Sequence, residues 1–254
     1  LVGSEMCIRD RQKIEQVVKA RFPQARVLRM DMDTTRTKDG YEQILSAFSN
    51  HEADILIGTQ MIVKGHDFPG VTLVGVLAAD LSLYISDYRA SERTFQLLTQ
   101  AAGRAGRGDI PGNVIIQTYD PDHYSITTAK EQNYEAFYGQ EIEYRKMMRY
   151  PPVWNMLYIL CASKNEAEAS EAAVALMGKI DQIVRENSEK IFPIGPSDAP
   201  VAKISDVYRK VIYVKTREYQ TLVILKDGLE AFIKDNRLYQ NVAVGFDFNP
   251  VNGF

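Results

Sequence analysis

The chain has little of what a metal centre, a disulfide framework or a membrane anchor requires. Among its 254 residues are two cysteines, Cys7 and Cys161, and three histidines. Two cysteines set no disulfide framework and make no zinc site by themselves, and His51, His66 and His123 form no metal-ligand pattern with them. No apolar run approaches the roughly 18 residues that span a bilayer, and no secretory signal pattern is present. The expectation is a reducing, cytoplasmic setting, with no metal site and no membrane partner. Also missing are a Gly-x-x-x-x-Gly-Lys-Ser/Thr phosphate loop and an Asp-Glu-x-His motif that would organise magnesium. The formal net charge is −3 and the pI about 5.7, so an anionic partner must be met by a local patch rather than by the global field.

What is present suits a globular protein with two cores: 45% hydrophobic and 25% charged residues. Residues 1–11 show neither helical nor strand periodicity and read as a non-native leader. From Gln12 the pattern is regular. Ile14, Val17, Val18 and Phe22 have helical spacing, and Pro23 stops that helix. A strand over Ala25–Met30, a helix carrying Tyr41, Ile44, Leu45 and Phe48, and two apolar strands at 54–58 and 71–79 follow. A helix over 87–103 and a strand over 113–118 complete an α/β layer domain with a mostly parallel sheet, expected over 12–119.

Two stretches of that domain carry chemistry. In Gln96-Leu-Leu-Thr-Gln100-Ala-Ala-Gly103-Arg104-Ala-Gly106-Arg107-Gly108, two arginines three apart would leave one face of a helix. Phe95, Leu97, Leu98, Ala101 and Ala102 would seat that helix on the core. The glycines thin the backbone, and guanidinium forks match phosphate oxygens in two places. The plainer alternative is a helix ending in glycine, with arginines balancing its dipole. The second stretch, Gly58-Thr59-Gln60-Met-Ile-Val-Lys64-Gly65-His66-Asp67-Phe-Pro69, would emerge at the carboxyl end of a strand, where α/β sheets gather ligands. Thr59, Gln60 and Lys64 suit a phosphate backbone and Asp67 a hydroxyl. Alternatively Asp67 caps a turn and Lys64 is simply solvated.

These stretches, joined by Leu-x-Ala-Asp80 and Asp87-Tyr-Arg-Ala-x-Glu-Arg-Thr-Phe-Gln-Leu-Leu-Thr-Gln100, resemble the second motor lobe of superfamily 2 helicases. More narrowly, they resemble the bacterial replication-restart helicases, from about residue 12 onward. The resemblance implies that Thr59, Gln60 and Lys64 contact DNA and that Gly65 and Asp67 contact nucleotide, Asp67 at the ribose. It further implies that Gln100, Arg104 and Arg107 form the final helicase motif, with the arginines reaching a γ-phosphate. ATP and Mg2+ are implied, held mainly by a first lobe whose motifs this sequence lacks. The family's cysteine-rich Zn2+ insertion is likewise without its ligands here. By this reading the chain holds half an active site and alone should not hydrolyse ATP.

Residues 120–152 are rich in tyrosine and charge. They suit a connector, with base stacking by the tyrosines as the alternative. The last unit, 153–254, reads as a small α+β domain. It has a strand to Ala162, a capping box Ser163-Lys-Asn-Glu166 and a helix lined by Ala169, Ala172, Ala173, Leu176, Ile180, Ile183 and Val184. A turn-rich loop over 191–200, a strand ending near Lys215, a helix over 217–235 and a strand over 241–248 follow. Lys203, Arg209, Lys210 and Lys215 form its best local basic cluster, with Lys203, Arg209 and Lys210 as DNA contacts; a solvated strand edge is the alternative. Together these readings give the C-terminal part of an ATP-dependent DNA helicase that moves 3′ to 5′ by resemblance and acts at stalled forks. Its implied partners are single-stranded and branched DNA, the primosome and single-strand-binding proteins. The rival readings are a non-catalytic nucleic-acid-binding module and another superfamily 2 repair translocase.

Overall fold

The computed structural model describes the chain except residues 1, 32–37, 60–61, 63–67, 69, 86, 107–110, 187–189 and 252–254, and describes residues 2–11 and 38–39 by their backbone. Its contacts divide into two units: Leu1–Leu83 with Glu92–Tyr134, and Tyr84–Ser91 with Glu135–Phe254.

In the first unit α1 (Val2–Arg21) leads to β1 (Val27–Met30), α2 (Lys38–Ser49) and β2 (Ile55–Gly58). Then come β3 (Leu73–Val76), a 3-10 turn (Ala79–Ser82), α3 (Ala90–Ala102, whose first two residues group with the second unit), β4 (Asn113–Ile116) and α4 (Tyr124–Lys130). β1 pairs in parallel with β2, and β3 in parallel with β4. The parallel direction follows from the helical crossovers between strands. Two expectations need correction. Regular structure begins at Val2, not at Gln12: once a helix is nucleated, each added residue costs little, so a stretch without an apolar stripe can prolong it. Residues 71–79 are not buried on both faces. Leu73, Leu77 and Ile115 stand 58–61% exposed, on the one face of the β3–β4 pair that nothing among the described residues covers. Val17 of α1 and Phe22 just after it are also exposed.

The second unit holds α5 (Tyr134–Met148, its first residue grouped with the first unit), β5 (Asn155–Ser163), α6 (Glu166–Glu186), β6 (Phe192–Ile204), β7 (Val207–Thr216), α7 (Tyr219–Lys234), a 3-10 turn and β8 (Ala243–Phe248). The strands form one antiparallel sheet in the order β6-β7-β5-β8. Alternation along β5 and β7 sends Leu157, Ile159, Cys161, Ile212 and Val214 to one face, where Ala172, Ala173, Leu176 and Ile180 of α6 and Leu222, Leu225 and Leu229 of α7 bury them. Each fully buried leucine or isoleucine contributes about 1.5–3 kcal/mol, so this face holds the unit together. The apolar line expected on α6 is the line that packs.

The capping box is shifted. Asn165, not Ser163, receives the Ala167 amide (3.0 Å), and Ser163 bonds Glu168 (3.0 Å) rather than Glu166. From Phe192 on, the 191–200 stretch is not a loop but the first part of β6. Pro193, Pro196 and Pro200 are tolerated because β6 is an edge strand whose pairing with β7 shifts register twice. Within the second shift Ala199 packs on Tyr158 and Val211, on the sheet face without helices. Ser205 and Asp206, both at positive φ, make the two-residue turn between β6 and β7, the form whose twist matches a hairpin.

Candidate functional site

The helix that carries the arginine motif is seated as its apolar spacing demands. Phe95, Leu98 and Ala101 are buried, and Thr94 shares a 2.7 Å hydroxyl bond with Ser82. Gln100 stands exposed on the opposite side. The helix expected to carry both arginines stops short of them. α3 ends at Ala102, and the Arg104 and Ala105 amides bond the carbonyls three residues back (3.1 and 3.3 Å), a tightened last turn. Gly106 then turns left-handed at φ 72°, and its amide bonds the Val71 carbonyl (3.0 Å). A β-carbon on Gly106 would lie 2.5 Å from the Gly112 nitrogen, and one on Gly112 2.2 Å from the Gly106 nitrogen. The two backbone segments therefore cross at a distance that only glycine permits. Arg104 sits half-buried on the turn before this crossing. Arg107 lies outside the described residues.

In the 58–67 stretch Gly58 is fixed by the same kind of closeness, since a β-carbon there would meet the Met30 carbonyl oxygen at 2.7 Å. Thr59 follows it, exposed at the carboxyl end of β2, and its carbonyl accepts the Ile62 amide (3.1 Å). Gln60, Lys64, Gly65 and Asp67 lie outside the described residues. Asp80, which the sequence marks only as part of a motif, is 2% exposed and accepts from the Thr118 hydroxyl and from the Tyr119 (2.8 Å) and Asp120 (3.3 Å) amides. The Thr118 bond, aided by those amides, holds its carboxyl below the usual carboxylate range. Asp80 thus ties the exit of β3 to the exit of β4.

The basic residues of the second unit do not form one cluster. Arg209 and Lys210 are neighbours on β7 and so point to opposite faces. Lys210 bonds Asp198 and lies 3.4 Å from Glu166. Lys203 pairs with Asp206 at 3.0 Å and lies over the Tyr208 ring. Arg209 Nη1 donates to the Val201 carbonyl (3.4 Å). Lys215 is buried. Its ammonium donates to the Met148 carbonyl (3.1 Å) and lies 3.7 Å from the Tyr150 ring centroid. Burial, with the Arg149 charge behind it, pulls Lys215 down to about 8. On the other side of Tyr150, Tyr88 stacks at 5.2 Å, followed by the Arg145 guanidinium, which bonds Glu141 at 2.6 Å. The tyrosines nearest β5 thus pack, while Tyr134 and Tyr138 stay exposed.

Two family descriptions divide the chain between them. "Helicase conserved C-terminal domain" matches residues 6–109, and "Primosomal protein N C-terminal domain" matches 146–251. Replication restart protein PriA of Bacillus subtilis is 46% identical over 243 residues, 94% of this chain and 29% of that protein. The chain belongs to the PriA family. PriA of Synechocystis is 41% identical over 84% of the chain and 25% of its own length, and PriA of Treponema pallidum 34% over 94% and 35%. The chain therefore spans about a third or less of these relatives. Among its described residues no helix is long and apolar enough to cross a membrane, and no three His, Cys, Asp or Glu side chains gather to hold a metal ion.

Two features of this PriA-family chain escape a reading of the sequence. Gly112 matters as much as Gly106, yet only the crossing reveals it. Arg149, Trp154, Phe192 and Arg217 meet in space from four separate segments. Their one signal in the sequence is that Trp154 is the single tryptophan.

Proposed function

We propose that this chain is the part of a PriA-type, ATP-dependent DNA helicase that supplies cations to nucleotide held by another lobe and contacts DNA through its own second unit. The layout we assign is a motor lobe over 12–119, a connector over 120–152 and a C-terminal unit over 153–254. The observation that carries the reading is the glycine crossing at 106 and 112. It fixes the main chain between Arg104 and Arg107 and keeps side-chain bulk away from it, as a phosphate-facing turn requires. Arginines held by a rigid turn stabilise transferring phosphoryl charge without reorganising, and a cation supplied from a second lobe ties turnover to closure. Gln100 would orient the same group, Gly65 and Asp67 would meet the nucleotide, and Thr59, Gln60 and Lys64 would meet the strand. Magnesium would enter with ATP. Movement 3′ to 5′, stalled or branched forks, the primosome and single-strand-binding proteins are partners and properties that the family resemblance adds.

The test is Arg107→Ala in the intact protein. ATP turnover should fall roughly 10³-fold, about 4 kcal/mol of transition-state stabilisation, with little change in melting temperature. Arg107→Lys should rescue poorly, because an ammonium does not bridge two phosphate oxygens. Near-normal turnover with a lowered melting temperature would return the arginines to a helix-capping role.

A further inference from the structure

Arg149 and Arg217 lie in the second unit, and both are exposed. The Arg149 guanidinium carbon is 3.7 Å from the Phe192 ring centroid and 5.5 Å from that of Trp154; Arg217 is 5.4 Å from Trp154. Trp154 and Phe192 meet edge to face at 5.6 Å. The rings hold the guanidinium groups in place, so little side-chain freedom remains to be lost when an anion arrives. No carboxylate among the described residues lies within ion-pair distance of Arg149, Arg217 or the nearby Lys215, whereas Lys203 and Arg145 each have one and Lys210 has two. The buried indole N–H of Trp154 also finds no acceptor among the described residues. Three positive charges and an unmatched donor have thus gathered without an anion, in a chain whose net charge is −3.

We propose that Arg149 and Arg217, seated on Trp154 and Phe192, form a docking site for the phosphate backbone of single-stranded DNA. The site rests on the DNA-binding reading above and moves its place in the second unit away from Lys203 and Lys210, whose charges are matched. Guanidinium groups on aromatic rings meet phosphates with their N–H edges, and an unpaired base adds a π-face that a duplex withholds. An acidic peptide would satisfy the charge but bring no flat base to lie on the exposed guanidinium faces.

Trp154 is the only tryptophan, so its emission reports on this site in the chain as it stands. Titration with an oligothymidylate should change that emission saturably. The double variant Arg149→Ala/Arg217→Ala should weaken the affinity at least about tenfold and lower the log–log salt slope by about 0.7 for each lost contact. Both replaced side chains are exposed, and an unchanged melting temperature shows that the fold is kept. Lys203→Ala/Lys210→Ala should leave titration and slope as they were. A labelled oligothymidylate that binds by anisotropy while Trp154 stays silent would overturn the site and spare the DNA reading. No anisotropy change at all would overturn both, with the Arg107 turnover test standing independently. An equal response to duplex DNA or to oligoglutamate would also overturn the proposal.

Discussion

The corner where Gly106 crosses Gly112 and the patch around Trp154 each have arginine beside them, Arg104 at the one and Arg149 and Arg217 at the other, but they are held in opposite ways. The corner is made by main chain. Gly106 and Gly112 pass so closely that no side chain fits between them, and Arg104 sits on the turn that leads into the crossing. The patch is made by side chains, with rings from two segments supporting guanidinium groups from two others. A site of the first kind should fail all at once when its backbone is disturbed. One of the second kind should lose binding by degrees while the fold stands.

The sharpest way to break this contrast is Gly106→Ala. A β-carbon 2.5 Å from the Gly112 nitrogen, at φ 72°, should destabilise the first unit by about 3 kcal/mol or more, measured by denaturant titration. Gly103→Ala is the control, since its β-carbon would meet nothing nearer than 3.5 Å and should shift stability by less than about 0.5 kcal/mol. Equal effects would mean that the crossing does not hold the corner.

Next in size is the pH response of Lys215. Its ordinary value is about 10.5 and its folded value about 8. Between these values the unfolded chain binds a proton that the folded chain has released. Stability should therefore rise with pH across that window, and the cost of burying the charge is fully present below it. Melting curves from pH 7 to 11 should show the rise in the native chain and lose it in Lys215→Met. Arg149→Ala, by removing a neighbouring positive charge, should move the rise to higher pH. A rise of the same size in Lys215→Met would assign it to another group.

The smallest effect is expected at Lys203→Ala. The Asp206 pair is exposed and screened by water, so melting should be unchanged within error and salt should make no difference. A clear loss would show that matched surface charges matter here more than their exposure allows.

Much of the fold is legible in the residues because burial follows periodicity. The spacing of Ala169, Ala172, Ala173, Leu176 and Ile180 is enough to mark the packed face of α6, and Leu222, Leu225 and Leu229 repeat the logic on α7. β6 is hidden because three prolines signal a loop, and only its place at the sheet edge makes them tolerable. The arginine motif is legible as a motif but not in its geometry, since helical spacing stops applying at Ala102 and Gly106 bends the chain out of register. The basic residues mislead for the reverse reason. Nearness in sequence becomes opposition in a strand, so Arg209 and Lys210 part, while Arg149 and Arg217 meet across 68 positions through the Trp154 ring.

The proline-laden edge of the second unit has a consequence for how copies of the protein meet one another. β6 carries exposed Ile194, Val201 and Ile204, a border apolar enough to attract a neighbouring strand. Its prolines offer no N–H, and its two register shifts bend whatever row of donors remains. A second molecule arriving edge-on therefore finds no straight template to extend. Copies can crowd together without their sheets fusing, and a variant with Pro196 and Pro200 replaced by threonine should be the first to grow fibrous aggregates on storage.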